Sequence, residues 1–285
     1  MRQAALFTAL AAILTLMSGC AGPAATPTPT PWIIVMTATP NEAGPVEGEQ
    51  LPAGVTPYPP DLLTGPCENL LWPLRDSARW TYSLTDPSGT REVTLESRAA
   101  DGGLTLLLNG ASASLNCLEG AIAGLPPTPL AGHPALGTGL IGVNPIGELL
   151  PDAGMLIPLG TPQTWDVEMD AAGMVLLPDA GSTPLPVTGG KIVIVSSTSP
   201  LAPITTLAGS FNTLPITQQG FFDLAVTRPD GTADRALITT GTQLYFSEGV
   251  GLVKVAFTGG SISTPGGVYP LEAGLNLELT AVQIP

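Results

Sequence analysis

The residues of this 285-residue chain that can do chemistry are few and far apart. Its one histidine, His133, lies in the segment Leu130-Ala131-Gly132-His133-Pro134. A Ser-His-Asp enzyme would need His133 as its base, but no Gly-x-Ser-x-Gly elbow accompanies it. A zinc centre needs several His or Cys ligands close together, and the chain does not carry them. A lone histidine in a Pro/Gly loop reads as a surface residue. No glycine-rich loop opens a helix, which removes the phosphate-cradling motifs. Asp166, Glu168 and Asp170, at spacing two, fall on one face of a strand. Hard carboxylate oxygens suit calcium, yet the simpler reading is a solvated face opposite Trp165, Val167 and Met169. Carboxylate pairs of the glycosidase kind are defined by separation in space, and the order of residues selects none. The expectation is no catalytic residue, no metal and no cofactor, with a hydrolase kept as an alternative.

The third reactive type is cysteine. Cys20 follows Met17-Ser18-Gly19, behind an uncharged run from Ala4 to Met17 that is preceded by Arg2. A run of 14 residues is too short to cross about 30 Å of hydrocarbon as a helix, and it fits the apolar region of an export signal. A charged start, an apolar stretch, small residues and then cysteine resemble the bacterial lipoprotein signal with its lipobox, although Met17 stands where leucine is more usual. The resemblance implies cleavage before Cys20 and lipidation of Cys20. Residues 1–19 are then a signal peptide, and the mature protein is lipid-anchored on the extracytoplasmic face of the membrane without spanning it. With Cys20 so used, Cys67 and Cys117 form an even pair outside the cytoplasm and read as a disulfide. It would close a loop of roughly 50 residues, worth about 4 kcal/mol in the chain-entropy picture.

Composition separates a stalk from a folded body. Residues 20–66 hold the lipidated cysteine and a Thr-Pro repeat from Ala25 to Pro31, which favours polyproline II. Within this stalk, Trp32-Ile33-Ile34-Val35-Met36 is an apolar exception that would either dock on the body or remain a sticky linker patch. From residue 67 onward the chain is poor in charge. Charged residues are 11% of the whole sequence, and the only lysines are Lys191 and Lys254, which argues against solvent-facing helices. The net charge of −14 repels phosphate backbones and anionic lipid heads, so nucleic acid is not an expected partner.

The body reads as strands. Trp80, Tyr82 and Leu84 alternate with Thr81, Ser83 and Thr85, and Asp86-Pro87-Ser88-Gly89 is a turn by composition. Asn109-Gly110 marks a second hairpin. Trp165 to Asp170, Lys191 to Ser196, Phe221 to Arg228, Ala233 to Thr240, Val250 to Thr258 and Leu275 to Ile284 add further strands, about a dozen in all. Gly120 to Gly154, rich in Gly, Pro and Leu, reads as an extended connector or as a flap over an apolar cavity. Two stretches, about 70–150 and 155–285, look alike. Pro73-Leu74 leads to Trp80 as Pro158-Leu159 leads to Trp165, and Leu118-Glu119-Gly120 echoes Ser247-Glu248-Gly249. The expected fold is all-β and antiparallel, with two similar curved half-sheets, marked by Trp80 and Trp165, forming a sandwich or incomplete barrel.

Three segments carry a family resemblance: the Pro-Leu lead to Trp80, Ala208-Gly209-Ser210-Phe211, and Gly249-Val250-Gly251-Leu252-Val253-Lys254. Together they resemble a group of bacterial surface lipoproteins similar to the DUF3108-like proteins of antiparallel β-structure, over about residues 70–280. The chain departs from that pattern at Ser247-Glu248, where the group has a small residue and proline. The resemblance implies a fold and carries over no catalytic residue. The expected role is non-catalytic binding to an envelope protein, glycan or apolar ligand, with carriage of an apolar ligand such as lipid as the alternative.

Overall fold

Turn chemistry sets the first strands of the computed structural model, which describes residues 59, 65–100, 103–109, 111–118, 120–123, 155–157 and 164–285. β1 (Arg79–Asp86) pairs with β2 (Gly89–Ala100) from Asp86↔Gly89 onward, so Pro87-Ser88 is a two-residue loop. The Ser88 N–H donates to Asp86 Oδ1 at 2.8 Å and closes that turn. β3 (Gly103–Leu108) and β4 (Ala111–Leu118) meet at Leu108↔Ala111 around Asn109-Gly110. Asn109 sits at φ 47°, the left-handed conformation that such hairpins require. Along β1 the even residues Trp80, Tyr82 and Leu84 are buried, so one face goes inward, as alternation demands.

Among the described residues the remaining strands are β5 (Ala121–Ala123), β6 (Met155–Ile157), β7 (Thr164–Asp170), β8 (Gly173–Val175), β9 (Leu185–Thr198), β10 (Ala202–Thr206), β11 (Gly209–Thr227), β12 (Ala233–Ser247), β13 (Gly251–Thr264), β14 (Gly267–Leu271) and β15 (Asn276–Gln283). All pair antiparallel, in the order β6-β5-β4-β3-β2-β1-β15-β13-β12-β11-β9-β7, with β8, β10 and β14 beside β9, β11 and β13. The one helical piece described is a single 3-10 turn at Pro178–Ala180. The sheet is continuous and not closed, which is the all-β, sandwich-or-open-barrel class expected from the sequence. The strand number exceeds a dozen because β7 with β8, β9 with β10, and β14 with β15 each lie end to end along one neighbour.

Strands β11, β12 and β13 run 19, 15 and 14 residues and serve two apolar clusters in succession. The first contains Trp72, Trp80, Tyr82, Leu95, Phe211, Phe246 and Val255. The second contains Val167, Ile194, Phe222, Leu224, Ile238 and Ile262. Three strands change which residues face inward along the way. In β11 the buried set passes from Phe211 and Thr213 to Ile216 and Gln218 across Leu214-Pro215. In β13 it passes from Val255 and Phe257 to Ile262 and Thr264 across a bulge at Thr258, next to Gly259 at φ 109°. In β9 it passes from Leu185 and Val187 to Ile192 and Ile194 across Gly189-Gly190. One extra residue flips every later side chain, as at Thr188 of β9 and Thr258 of β13, whereas β11 keeps its register with β12 through Leu214-Pro215. In β11 and β13 the change accompanies passage from the first cluster to the second, while in β9 both inward sets belong to the second. Pro215 is tolerated in a paired strand because its carbonyl accepts from the Ser199 N–H at 2.9 Å. Its nitrogen faces the same side, where β9 has ended and β10 has not begun.

The far end of the second cluster is closed by charge. Arg228 donates to Asp179 Oδ2 and Asp234 Oδ2, both at 2.6 Å, and Thr264 Oγ1 donates to Asp179 Oδ2 at 2.9 Å. One guanidinium thereby ties the 3-10 turn to the β11–β12 and β13–β14 connections. Burial by itself pushes the Asp179 carboxyl up, but hydrogen bonds from Arg228 and Thr264 and the Arg228 charge outweigh it, leaving the pKa below the ordinary value. A depressed folded-state pKa stabilises above the unfolded carboxylate pKa, and the gain fades as pH falls through the folded value. Asp179→Asn is expected to cost about 2 kcal/mol at pH 7, between the values for exposed and buried pairs. The gap between the two proteins in urea titrations should narrow steadily from pH 5 to pH 3. A gap that stays constant over that interval rejects the assignment.

Candidate functional site

At the start of the folded body, the backbone is gripped from two sides. Cys67 and Cys117 are bonded, with their Cα atoms 4.9 Å apart, as the cysteine count led one to expect. The Gly120 N–H donates to Pro66 O at 2.9 Å, and Asn69 Nδ2 returns a bond to Gly120 O at 2.8 Å. From the other side the Gly249 N–H donates to Leu70 O at 2.9 Å. Gly120 and Gly249 are the corresponding glycines of the two echoing segments, and they sit at φ 87° and 70°. A side chain is strained in that region. Each glycine thus turns its strand connection toward the same loop. Within the loop, Asn69 Oδ1 accepts from the Leu71 N–H at 2.8 Å, and Glu68 pairs with Arg75 at 2.7 Å.

Immediately beyond, the Gly249–Lys254 motif receives the aromatic residues of the first strand. β15 pairs with β13 only at Lys254–Ala256 before following β1. The start of β13 therefore presents carbonyls to the interior without a strand beside them. Trp80 Nε1 donates to Val250 O at 2.7 Å and the Tyr82 hydroxyl to Leu252 O at 2.9 Å. Burial pushes the Tyr82 phenol well above its usual range, so it remains a neutral donor. Trp72 stands edge-on to Trp80 at 6.3 Å between ring centroids and tilted against Phe246 at 5.8 Å. A Cβ on Gly251 would lie 2.6 Å from Trp72 Cδ1, at a φ of 103°. Here glycine serves both the backbone conformation and the ring.

Other sequence candidates fall apart from this junction. Trp165 lies in β7, the last strand of the sheet order, partly buried between the two clusters, with its Nε1 enclosed and without a partner among the described residues. It heads a row across the sheet, Trp165–Ser196–Gln218–Thr242, where buried polar side chains separate the clusters and Gln218 Nε2 donates to Ser196 Oγ at 3.2 Å. The carboxylates of β7 face outward as a polar row, opposite the buried Val167 and Met169. Lys191 binds Glu168 at 2.8 Å and Asp170 at 2.7 Å. Asp170 first and Glu168 second raise the lysine above its ordinary pKa. The lysine ammonium thus bridges two of the three carboxylates, and no metal-ligating cluster is found among the described residues. Cys20, the Thr-Pro repeat, the Trp32–Met36 patch, His133 and the greater part of the 120–154 connector lie outside the described residues.

No family model matches the chain, and no curated protein matches it. Two solved structures are similar. One is a protein described as exported, with a YmcC-like fold, from Bacteroides fragilis, at 10% identity and a TM-score of 0.32, covering 76% of this chain and all of that one. The other is a protein described as a lipoprotein from Parabacteroides distasonis, at 11% identity and a TM-score of 0.34, covering 75% of this chain and 99% of that one.

The junction generates two expectations. Reducing the disulfide, or replacing Cys67 and Cys117 by serine, should lower stability by about 4 kcal/mol, read as a drop in urea midpoint with an unchanged native near-ultraviolet spectrum. Trp80→Phe and Tyr82→Phe should each cost about 1–3 kcal/mol, the penalty for a buried carbonyl left without a donor. Wild-type stability in both phenylalanine variants would remove the latch from the account.

Proposed function

We propose that the chain is a lipoprotein anchored at Cys20 on the extracytoplasmic side of a bacterial membrane. Its DUF3108-like β body acts there by binding and breaks no bond. The Cys67–Cys117 disulfide carries this reading: such bonds persist in oxidising compartments outside the cytoplasm. The lipobox-like Met17-Ser18-Gly19-Cys20 and the Thr-Pro repeat support it. Both belong to a body held away from a bilayer on an extended tether. The absence of catalytic residues from the resembling group, and the engagement of Glu168 and Asp170 by Lys191, favour contact over chemistry. A diacyl or triacyl anchor holds firmly, since each buried CH₂ contributes about 0.8 kcal/mol.

Expression of wild type and Cys20→Ala in a bacterial host with labelled palmitate tests the anchor. The wild type should fractionate with membranes and carry label, and the variant should lose both. Equal membrane retention by the variant, or native reduced protein in the cytosol, overturns the reading. Native mass spectrometry of the wild type addresses the role. Stoichiometric co-purifying lipid would replace the contact module by a carrier.

A further inference from the structure

The outer face of the β7–β9–β11–β12 sheet carries an apolar patch that no element covers among the described residues. Phe221, Leu237 and Val195 are 43%, 46% and 40% exposed. They belong to three neighbouring strands. Phe221 lies opposite Val193 and Thr239, Leu237 opposite Asp223 and Ser263, and Val195 opposite Asp166 and Gln219. Cross-strand and diagonal neighbours on one face are within side-chain reach, so these residues and Val193 make one surface. Other strongly exposed apolar residues, such as Leu207 and Val268, stand singly at or beside turns. Isolated exposure needs no explanation, whereas a contiguous patch on a sheet face does.

The rim decides the occupant. It holds four carboxylates, Asp166, Glu168, Asp170 and Asp223, against two cations, Lys191 and Arg235. Both cations are already engaged: Lys191 by Glu168 and Asp170, and Arg235 by Asp223. The same holds for every lysine and arginine among the described residues, each of which is ion-paired. Asp166 is exposed and takes part in no ion pair among the described residues. The face therefore offers an apolar centre and a surplus of negative charge. A second copy would bring the same surplus, and an anionic lipid surface would be repelled.

We propose that this face, centred on Phe221, docks a protein segment that carries apolar side chains flanked by lysine or arginine. The proposal deepens the contact reading given above and rests on it for its biological setting. The binding itself is measurable on the full-length chain in detergent, whatever its location. The probe is the end-blocked peptide Lys-Lys-Phe-Val-Phe-Lys-Lys, compared with Glu-Glu-Phe-Val-Phe-Glu-Glu. By isothermal titration the lysine peptide should bind at least about tenfold more tightly, as expected for complementary over like charge. Phe221→Ser and Leu237→Asp should each weaken it about tenfold, the loss typical of a central apolar anchor. Leu207→Asp, which makes the same charge change as Leu237→Asp elsewhere on the surface, should leave binding unchanged. Asp166→Lys should weaken it and flatten its salt dependence.

Equal affinity for both peptides, or indifference to Phe221→Ser with a native melting curve, overturns the proposal. So does binding of chitohexaose or phosphatidylglycerol vesicles at Phe221 in place of the peptide, or a dimer lost on Phe221→Ser. Loss of membrane attachment dependence on Cys20 with peptide binding intact defeats the anchor alone. The reverse result defeats the docking face alone.

Discussion

The structure depends on two side-chain donors that do the work of a missing strand. β15 leaves β13 to follow β1, and the first residues of β13 are left with carbonyls pointing into the interior. An enclosed carbonyl without a donor costs about 1–3 kcal/mol. Trp80 and Tyr82 supply the donors from β1, 170 residues away in sequence. Their rings also form much of the apolar cluster around that point, so one pair of residues provides packing and hydrogen bonding together. The close approach needs Gly251, whose missing Cβ leaves room for Trp72. It also needs the first strand to be held in place, which the disulfide and the Gly120 and Gly249 bonds to the entry loop achieve. The first and last quarters of the folded body are thereby one packing unit.

Long strands impose the second constraint. A strand of 19 residues, at about 3.4 Å per residue, would extend past one apolar cluster, and its natural twist rotates its inward face along the way. β11 and β13 change their inward face between the clusters at Leu214-Pro215 and Thr258-Gly259, and β9 changes its own within the second cluster at Gly189-Gly190. The row of Ser196, Gln218 and Thr242 lies where the two clusters meet, and polar side chains there can bond one another across the strands. The second cluster draws only on residues between Val167 and Ile262, whereas the first does not keep to one stretch of sequence. The first unites Leu95 with Phe246 and Val255, which come from the separate stretches 70–150 and 155–285.

These features explain what the sequence could and could not reveal. Pro87-Ser88 between polar alternations, and Asn109-Gly110, announce their hairpins because two-residue turns restrict both residue type and register. Trp165 to Asp170 alternates cleanly, and its carboxylates do face solvent. The cysteine pair was legible by arithmetic. The parity changes in β9, β11 and β13 were not, since a period of two cannot be read across a bulge or a change of inward face. Pro215 argues locally against a paired strand, and only the gap between β9 and β10 reconciles it. The Gly249–Lys254 motif stood out as a resemblance, but its purpose lies in Trp80 and Tyr82, far away along the chain. Trp80 and Trp165 follow similar Pro-Leu leads and meet different fates: one is enclosed and hydrogen-bonded, the other half-buried in the last strand of the sheet order. The outer patch escaped notice because Val195, Phe221 and Leu237 belong to three separate runs that only the register brings together.

Charge accounts for the surface as hydrogen bonds account for the interior. With 23 acidic and 9 basic residues in the chain, pairing every lysine and arginine still leaves carboxylates in excess. Among the described residues that pairing is complete, so no isolated cation softens the field. Such a body is pushed away from an anionic surface, and the push decays within about 10 Å at moderate salt. A polyproline tether advances about 3.1 Å per residue, so even a few extended residues clear that distance. On the anchoring proposed above, this repulsion would keep the sheet off the bilayer and leave the exposed face around Phe221 to partners that bring the cations this chain has already used.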